Sequence, residues 1–393
     1  MKTVAVLVES FNAYGRGLCR GIANYTAGKS AWSLIWFEIY QGLKDVSATI
    51  KYMRNNRVDG ILLRGPISTV RDIWSLGIPT IDLFNDSDNQ VTVNVDDSAL
   101  ADMAIEYFMN SGFLNFAFCG FTGVPFSDSR QRCFVENLHR RNYQASIYKP
   151  QKKEQRQEDV LKKIQAGFQE THSLIRWLRL LPKPVCILAC NDARALQLLI
   201  ACELGTINVP EEVAVLGVDN DELVAEISRP TLSSIEQDTN QIALKACDAL
   251  ERLMQGLAVA RPRYRIAPLR VVERNSTNVI GARDTIVSEA HRIIRQEACN
   301  GLTVKDLVAK VGISRTNLEV RFRRALGRTI HGEIARLRVK RICQLLRTTD
   351  YTLEEISSRV GYLDVSHMGR SFKNANGMAP GQYRKYQQKN RAK

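Results

Sequence analysis

TVKDLVAKVGISRTNLEVRFRRALG (303–327) returns about fifty residues later as TLEEISSRVGYLDVSHMGRSFKNANG (352–377). Thr303 aligns with Thr352 and Gly312 with Gly361, both 49 apart; Leu318 aligns with Met368, Phe322 with Phe372 and Gly327 with Gly377, all 50 apart. One residue inserted in the second turn accounts for the change of offset. Thr352 with Glu355 fits a capping box, and Thr303 with Asp306 a weaker version. A short amphipathic helix follows in each copy, then a glycine that permits a tight turn. A second helix starts at Ser314 or Asp364, both good N-cap types. It buries Leu318/Phe322 or Met368/Phe372 at i, i+4 spacing and ends at Gly327 or Gly377.

Helix, glycine turn, helix is the helix-turn-helix pattern, and its second helix enters the DNA major groove. The exposed face of that helix holds Arg315, Thr316, Glu319 and Arg323 in the first copy, and Val365, Ser366, Gly369 and Arg370 in the second. Arg suits guanine edges, Glu a cytosine amine and Val a thymine methyl. Arg324, Lys373 and Arg384, with Arg321, Arg328 and Lys385, read as phosphate partners, which give affinity without sequence information. Leu326–Arg347 reads as one long helix joining the copies.

The charge distribution agrees. The chain carries +14 overall, of which +13 falls in residues 281–393 and +1 in residues 1–280. A confined basic domain is the footprint of a polyanion partner.

Toward the N-terminus, 276–284 reads as a linker and 285–393 as the helical domain. Residues 1–275 alternate short apolar runs with helix-period segments. The runs are 4–8, 34–40, 60–65, 80–84, 91–96, 116–121, 185–191 and 213–220; Asp97–Asn110 and Ala193–Leu204 are two of the helices. This is the pattern of parallel sheets covered on both faces, an α/β architecture with more strands than one sheet comfortably holds. Two lobes are expected, roughly 1–112 with 237–262 and 113–236 with 263–275. PQKKEQRQED (150–159) reads as a surface loop.

No apolar run is long enough to span a bilayer, and the first strand begins at once without a leader cleavage site, so the expected address is cytoplasmic. Nine scattered cysteines without C-x-x-C spacing read as free thiols. Five histidines without metal spacing, and no nucleophile or phosphate-loop motif, leave an enzyme without support and call for no cofactor.

Residues 285–386 resemble the AraC/XylS family of regulators. The second copy carries that family's signature as Ile356-Ser357, Gly361-Tyr362, Phe372-Lys373, Gly377, Pro380 and Tyr383-Arg384, with Met368 replacing one aromatic. Residues 1–275 resemble LacI-type and periplasmic-binding-protein-like sensors through Asn191-Asp192, Gly217–Asn220, Glu236–Asp238 and VVERNST (271–277). The resemblance implies two α/β lobes, three chain crossings and a ligand in the cleft. LacI-type sensors normally carry their DNA-binding helices at the N-terminus; here they follow the sensor. That order, with Ala13-Tyr14-x-Arg16 and Asn191–Ala195, resembles the regulators of pentose operons. It implies a D-xylose-dependent activator of pentose catabolism genes, binding operator DNA as a homodimer, with RNA polymerase a further candidate partner. That family's first loop commonly holds an acidic residue where Gly15 stands, and another sugar or small metabolite stays open as effector.

Acidic and amide groups at the carboxyl ends of parallel strands face the crevice where such folds bind ligands. A carboxylate accepts two sugar hydroxyls and an Arg fork donates back. The ligand-binding candidates are Asp192, Asp219, Arg130 and Arg16, then Asn191, Gln237 and Tyr14.

Overall fold

Val4–Val8, Ile61–Leu63, Val185–Ala189 and Val213–Leu216 are buried almost without exception, as strands covered on both faces must be. In the computed structural model, which describes residues 1–29, 32–38, 46–65, 67–85, 90–150, 169–259, 263–278 and 284–391, they form the middle of two sheets. The first contains β1 (Lys2–Leu7), β2 (Trp32–Phe37), β3 (Gly60–Leu63), β4 (Thr80–Asp82), β5 (Val91–Val95) and β11 (Arg263–Ile266), in the order β11-β5-β4-β3-β1-β2. The second contains β6 (Phe116–Cys119), β7 (Ala145–Ile147), β8 (Val185–Ala189), β9 (Val213–Val218), β10 (Ser233–Glu236) and β12 (Arg270–Val272), in the order β12-β10-β9-β8-β6-β7. Strand pairing is parallel except where β12 runs antiparallel to β10.

The chain crosses between lobes three times: between β5 and the helix Asp97–Asn110, whose Ser98 and Asp102 meet Asn137 and Arg141 of the second lobe, after β10, and between β11 and β12. The last crossing corrects the expected break at 262/263, because β11 pairs with β5 in the first sheet, Arg263 beside Thr92. The expected linker also begins too early. Ser276 is fully buried and its hydroxyl donates to the Val215 carbonyl at 2.6 Å, so 276–278 close the sensor. Residues 279–283 of the linker, and nearly all of the 150–159 loop, lie outside the described residues.

Contacts divide the chain into a sensor, Met1–Met109 with Phe113–Asn278, and a helical unit from Val279 on. The helical unit has two cores. One gathers Val287, Ile294, Leu307, Leu318, Phe322, Ile330 and Ile334; the other gathers Val339, Ile342, Leu346, Ile356, Met368 and Phe372. The helix Ile330–Thr348 contributes its first half to one core and its second half to the other. It does not begin at Leu326 as the sequence pattern suggests. Gly327 is left-handed at φ 67° and stops the preceding helix, and Thr329 caps the new one at the amide of Gly332. No described helix is long and apolar enough to cross a membrane.

Candidate effector site and nucleic-acid interface

β9 ends in an unusual turn. Asp219 and Asn220 take φ values of 107° and 49°, the left-handed side that non-glycine residues avoid. Such geometry persists only where neighbours hold it, and it clusters at ligand sites. Here the neighbours are named. The Asn220 amide donates to the Ser234 hydroxyl at 2.9 Å, and Arg274 donates to the Asn220 side-chain oxygen at 2.9 Å. Beneath the turn lies Asp192, 2% exposed. Its two oxygens accept from the Ser234 hydroxyl at 2.6 Å and the Asp221 amide at 2.7 Å. Its carboxyl is pushed well up by burial and by the nearby charge of Asp219. Asp192, expected among the ligand contacts, is therefore engaged in holding the loop that presents Asp219.

Asp219 faces two guanidinium groups. Burial pushes its carboxyl up to about 6, against the pull of Arg130, Arg64 and a hydrogen bond donated by the Gln237 amide. Arg130 is 5% exposed; its Nε donates to Asp97 at 3.1 Å, and its other nitrogens reach the Cys190 carbonyl and Gln237. Burial disfavours its charge, but Asp97 and Asp219 outweigh this, and its pKa rises. Gln237 thus bridges Asp219 and Arg130. The expected trio of Asp219, Arg130 and Gln237 comes together.

Three residues that the sequence reading passed over complete the cluster. Arg64 follows β3 and ion-pairs with Glu9, at the end of β1. Its guanidinium lies 4.9 Å from the Tyr14 ring centre and 4.8 Å from that of Phe84. Its Nε is buried with no hydrogen-bond partner among the described residues, and burial lowers its pKa to about 10. Phe126 stacks under Arg130 at 5.2 Å and meets Phe84 edge-on at 6.1 Å across the lobes. Tyr14, as expected, belongs here; burial pushes its hydroxyl above the usual range. Arg64 stands directly after an apolar strand, as Asp219 does, and that was the available signal.

Two candidates take other roles. Arg16 donates to Asp221 at 2.9 Å and to the Ser10 carbonyl at 3.2 Å, and Asp221 also accepts the Ala13 amide at 2.9 Å. Arg16 is thus committed to a bridge between lobes. The Asn191 side-chain oxygen caps the helix Asp192–Leu204 at the Arg194 amide. Gly15 accepts no side chain: a Cβ there would lie 1.8 Å from the Glu9 carbonyl oxygen.

In the helical unit both capping boxes are complete, Thr303 with Asp306 and Thr352 with Glu355. The helices Arg315–Leu326 and Val365–Asn376 begin at the Ser314 and Asp364 caps and end at left-handed Gly327 and Gly377. On them Arg315, Thr316, Arg323, Arg324, Ser366, Arg370 and Lys373 are exposed, and Glu319 and Val365 are half-buried. Val320, 63% exposed, joins the first face and was missed because its apolar character reads as core. Arg384 does not join the second. It donates to the Tyr351 carbonyl at 2.6 Å, tying the last helix to the turn before Thr352. Arg321 likewise pairs with Asp284 at 3.1 Å. Arg328 pairs with fully buried Glu333 at 3.2 Å, beside His291 and Arg336.

A two-lobed sensor followed on one chain by a duplicated helix-turn-helix unit defines a ligand-responsive, DNA-binding transcription regulator. Residues 105–277 match the periplasmic binding protein-like domain, and residues 307–386 a helix-turn-helix domain. The chain is 32% identical to the xylose operon regulatory protein of Haemophilus influenzae, over 97% of both. It is 29% identical to that of Escherichia coli K12, over 97% of this chain and 96% of the other. A solved structure of the xylose-binding transcription activator xylR superposes with a TM-score of 0.68 at 27% identity, covering 98% of each chain. The chain belongs to the family of xylose operon regulatory proteins.

Proposed function

We propose that the chain is a D-xylose-dependent activator of pentose catabolism genes that binds operator DNA as a homodimer in the cytoplasm, recruits RNA polymerase and turns nothing over. The observation that carries the sugar reading is the chain of contacts Asp219–Gln237–Arg130, with Arg64 opposite and Tyr14, Phe84 and Phe126 alongside. A carboxylate that accepts two adjacent hydroxyls, flanked by guanidinium donors, suits a small polyol, and flat rings suit its apolar face. Asp192 acts one layer below, as the support of the Asp219 turn. The likeness to xylose operon regulatory proteins and to a xylose-binding activator favours xylose over other pentoses. A dimer doubles the modest contact of one pair of short recognition helices.

Calorimetric titration tests this. Wild type should bind D-xylose. Asp219→Asn keeps the shape and loses the charge-assisted bonds, so about 1.5–3 kcal/mol of binding should disappear. A wild type indifferent to xylose overturns the effector; an Asp219→Asn protein that binds normally overturns the site.

A further inference from the structure

The two recognition helices present unlike faces. Alignment on Leu318/Met368 and Phe322/Phe372 pairs Arg315 with Val365, Thr316 with Ser366, Glu319 with Gly369, Val320 with Arg370 and Arg323 with Lys373. The first face has long polar arms at its start and centre. The second starts with short side chains and has none at its centre.

Gly369 sits inside the helix Val365–Asn376, where glycine weakens a helix relative to alanine because it has more backbone freedom to lose. The domain itself gives no reason for it. Its φ is not among the positive ones, so no turn requires it. A Cβ at that position would meet open space, with no described atom within 4 Å. Exposed Ser366, Arg370 and Lys373 surround it.

We propose that Gly369 is where the second recognition helix makes its closest approach to DNA, its bare backbone seated in the major groove. The proposal rests on the DNA-binding reading above. A helix with side chains is about 10–12 Å across and the major groove about 12 Å wide, so a face stripped of one central side chain can sit deeper. Depth is what this helix needs, because Val365 and Ser366 are too short to reach base edges from the distance at which Arg315 and Glu319 work. Seated closer, Ser366 bonds a base edge and the outer part of Val365, whose inner side packs on the second core, meets a thymine methyl, while Arg370 and Lys373 reach past them.

The test uses full-length protein with D-xylose and a duplex that wild type enriches from a random pool. Gly369→Ala should melt at a higher temperature, because alanine favours the helix and the space is open. It should also bind the enriched duplex about tenfold more weakly or worse, the scale of one spoiled base-pair contact. Affinity for random duplex, and its salt slope, should not change. Wild-type affinity for the enriched duplex in Gly369→Ala overturns the proposal. So does a lower melting temperature, since the glycine would then serve the fold. A wild type that enriches no duplex brings down the DNA-binding reading instead.

Discussion

Asp219 combines a φ of 107° with a carboxyl pushed up to about 6, two costs at one residue. Both are consistent with a group poised for hydroxyl donors that arrive with the ligand. Because its folded pKa lies above its unfolded value of 3.8, the folded state holds the proton more tightly. The stabilisation linked to that proton is complete below about pH 4 and is lost as pH rises through about 6. At pH 7.5 the ionised carboxylate therefore burdens the empty sensor by at most about 3 kcal/mol, at 1.36 per unit. Asp219→Asn should raise the melting temperature at pH 7.5, with the gain shrinking toward pH 5. Equal midpoints at both pH values would show the charge carries no penalty. Xylose affinity of wild type should run the opposite way, falling as pH drops below about 6, because only the carboxylate accepts two hydroxyls. Titrations at pH 5 and 7.5 check it. Asp219 was legible in the sequence because it ends an apolar strand. The support role of Asp192 was not, since it depends on Ser234, which is 42 positions away and comes near only in the fold.

At the scale of elements, legibility followed burial. The helix Asp97–Asn110 and the eight apolar strands stand where alternation put them, within a few residues. β7, β10, β11 and β12 were not seen as strands. They are only three or four residues long and read as ASI, SSIE, RYRI and RVV, too short and polar for a period to register. β11 moved the last lobe crossing for this reason. In the helical unit the repeat revealed the caps within its two copies, because caps are local, but not the Thr329 and Asp284 caps that lie outside them. Arg384 is the contrary case: its basic charge suggests a phosphate, but its guanidinium reaches back 33 positions to the Tyr351 carbonyl. Arg384→Ala should therefore lower the melting temperature of the helical unit by the loss of a bond to a charged group, about 1.5–3 kcal/mol. Exposed Arg324→Ala should leave melting alone and weaken binding to all DNA sequences alike. Exposed Arg370→Ala should instead erase discrimination at one or two base pairs, costing about 1–3 kcal/mol at the cognate site. Melting curves beside binding isotherms on cognate and random duplexes separate the three. An Arg384→Ala protein that melts normally yet loses DNA affinity would return that residue to the interface.

At the scale of the whole molecule, the division of charge matches the division of labour. Residues 1–280 are nearly neutral, as suits the uncharged sugar proposed as effector, and the excess of +13 lies in residues 281–393. Counterion release should then make the logarithm of operator affinity fall linearly with the logarithm of salt, while xylose affinity stays nearly flat. The two activities are linked only if xylose has different affinities for the DNA-competent and DNA-incompetent states. Such linkage is reciprocal: the factor by which saturating xylose tightens operator binding must equal the factor by which operator tightens xylose binding. Arg16 and the Ala13 amide, both on Asp221, offer one place where the lobes can differ between states. Arg16→Ala removes the side-chain arm of that bridge, leaving the Ala13 amide on Asp221, without touching the Asp219–Gln237–Arg130 chain. It should change the coupling factor while leaving operator affinity in the absence of xylose near that of wild type. The measurement is operator affinity with and without xylose, and xylose affinity with and without operator, for both proteins. Unequal factors in wild type would mean that a further equilibrium, such as dimer formation, carries part of the response. An unchanged factor in Arg16→Ala would take the bridge out of the coupling and leave it a contact of the resting sensor.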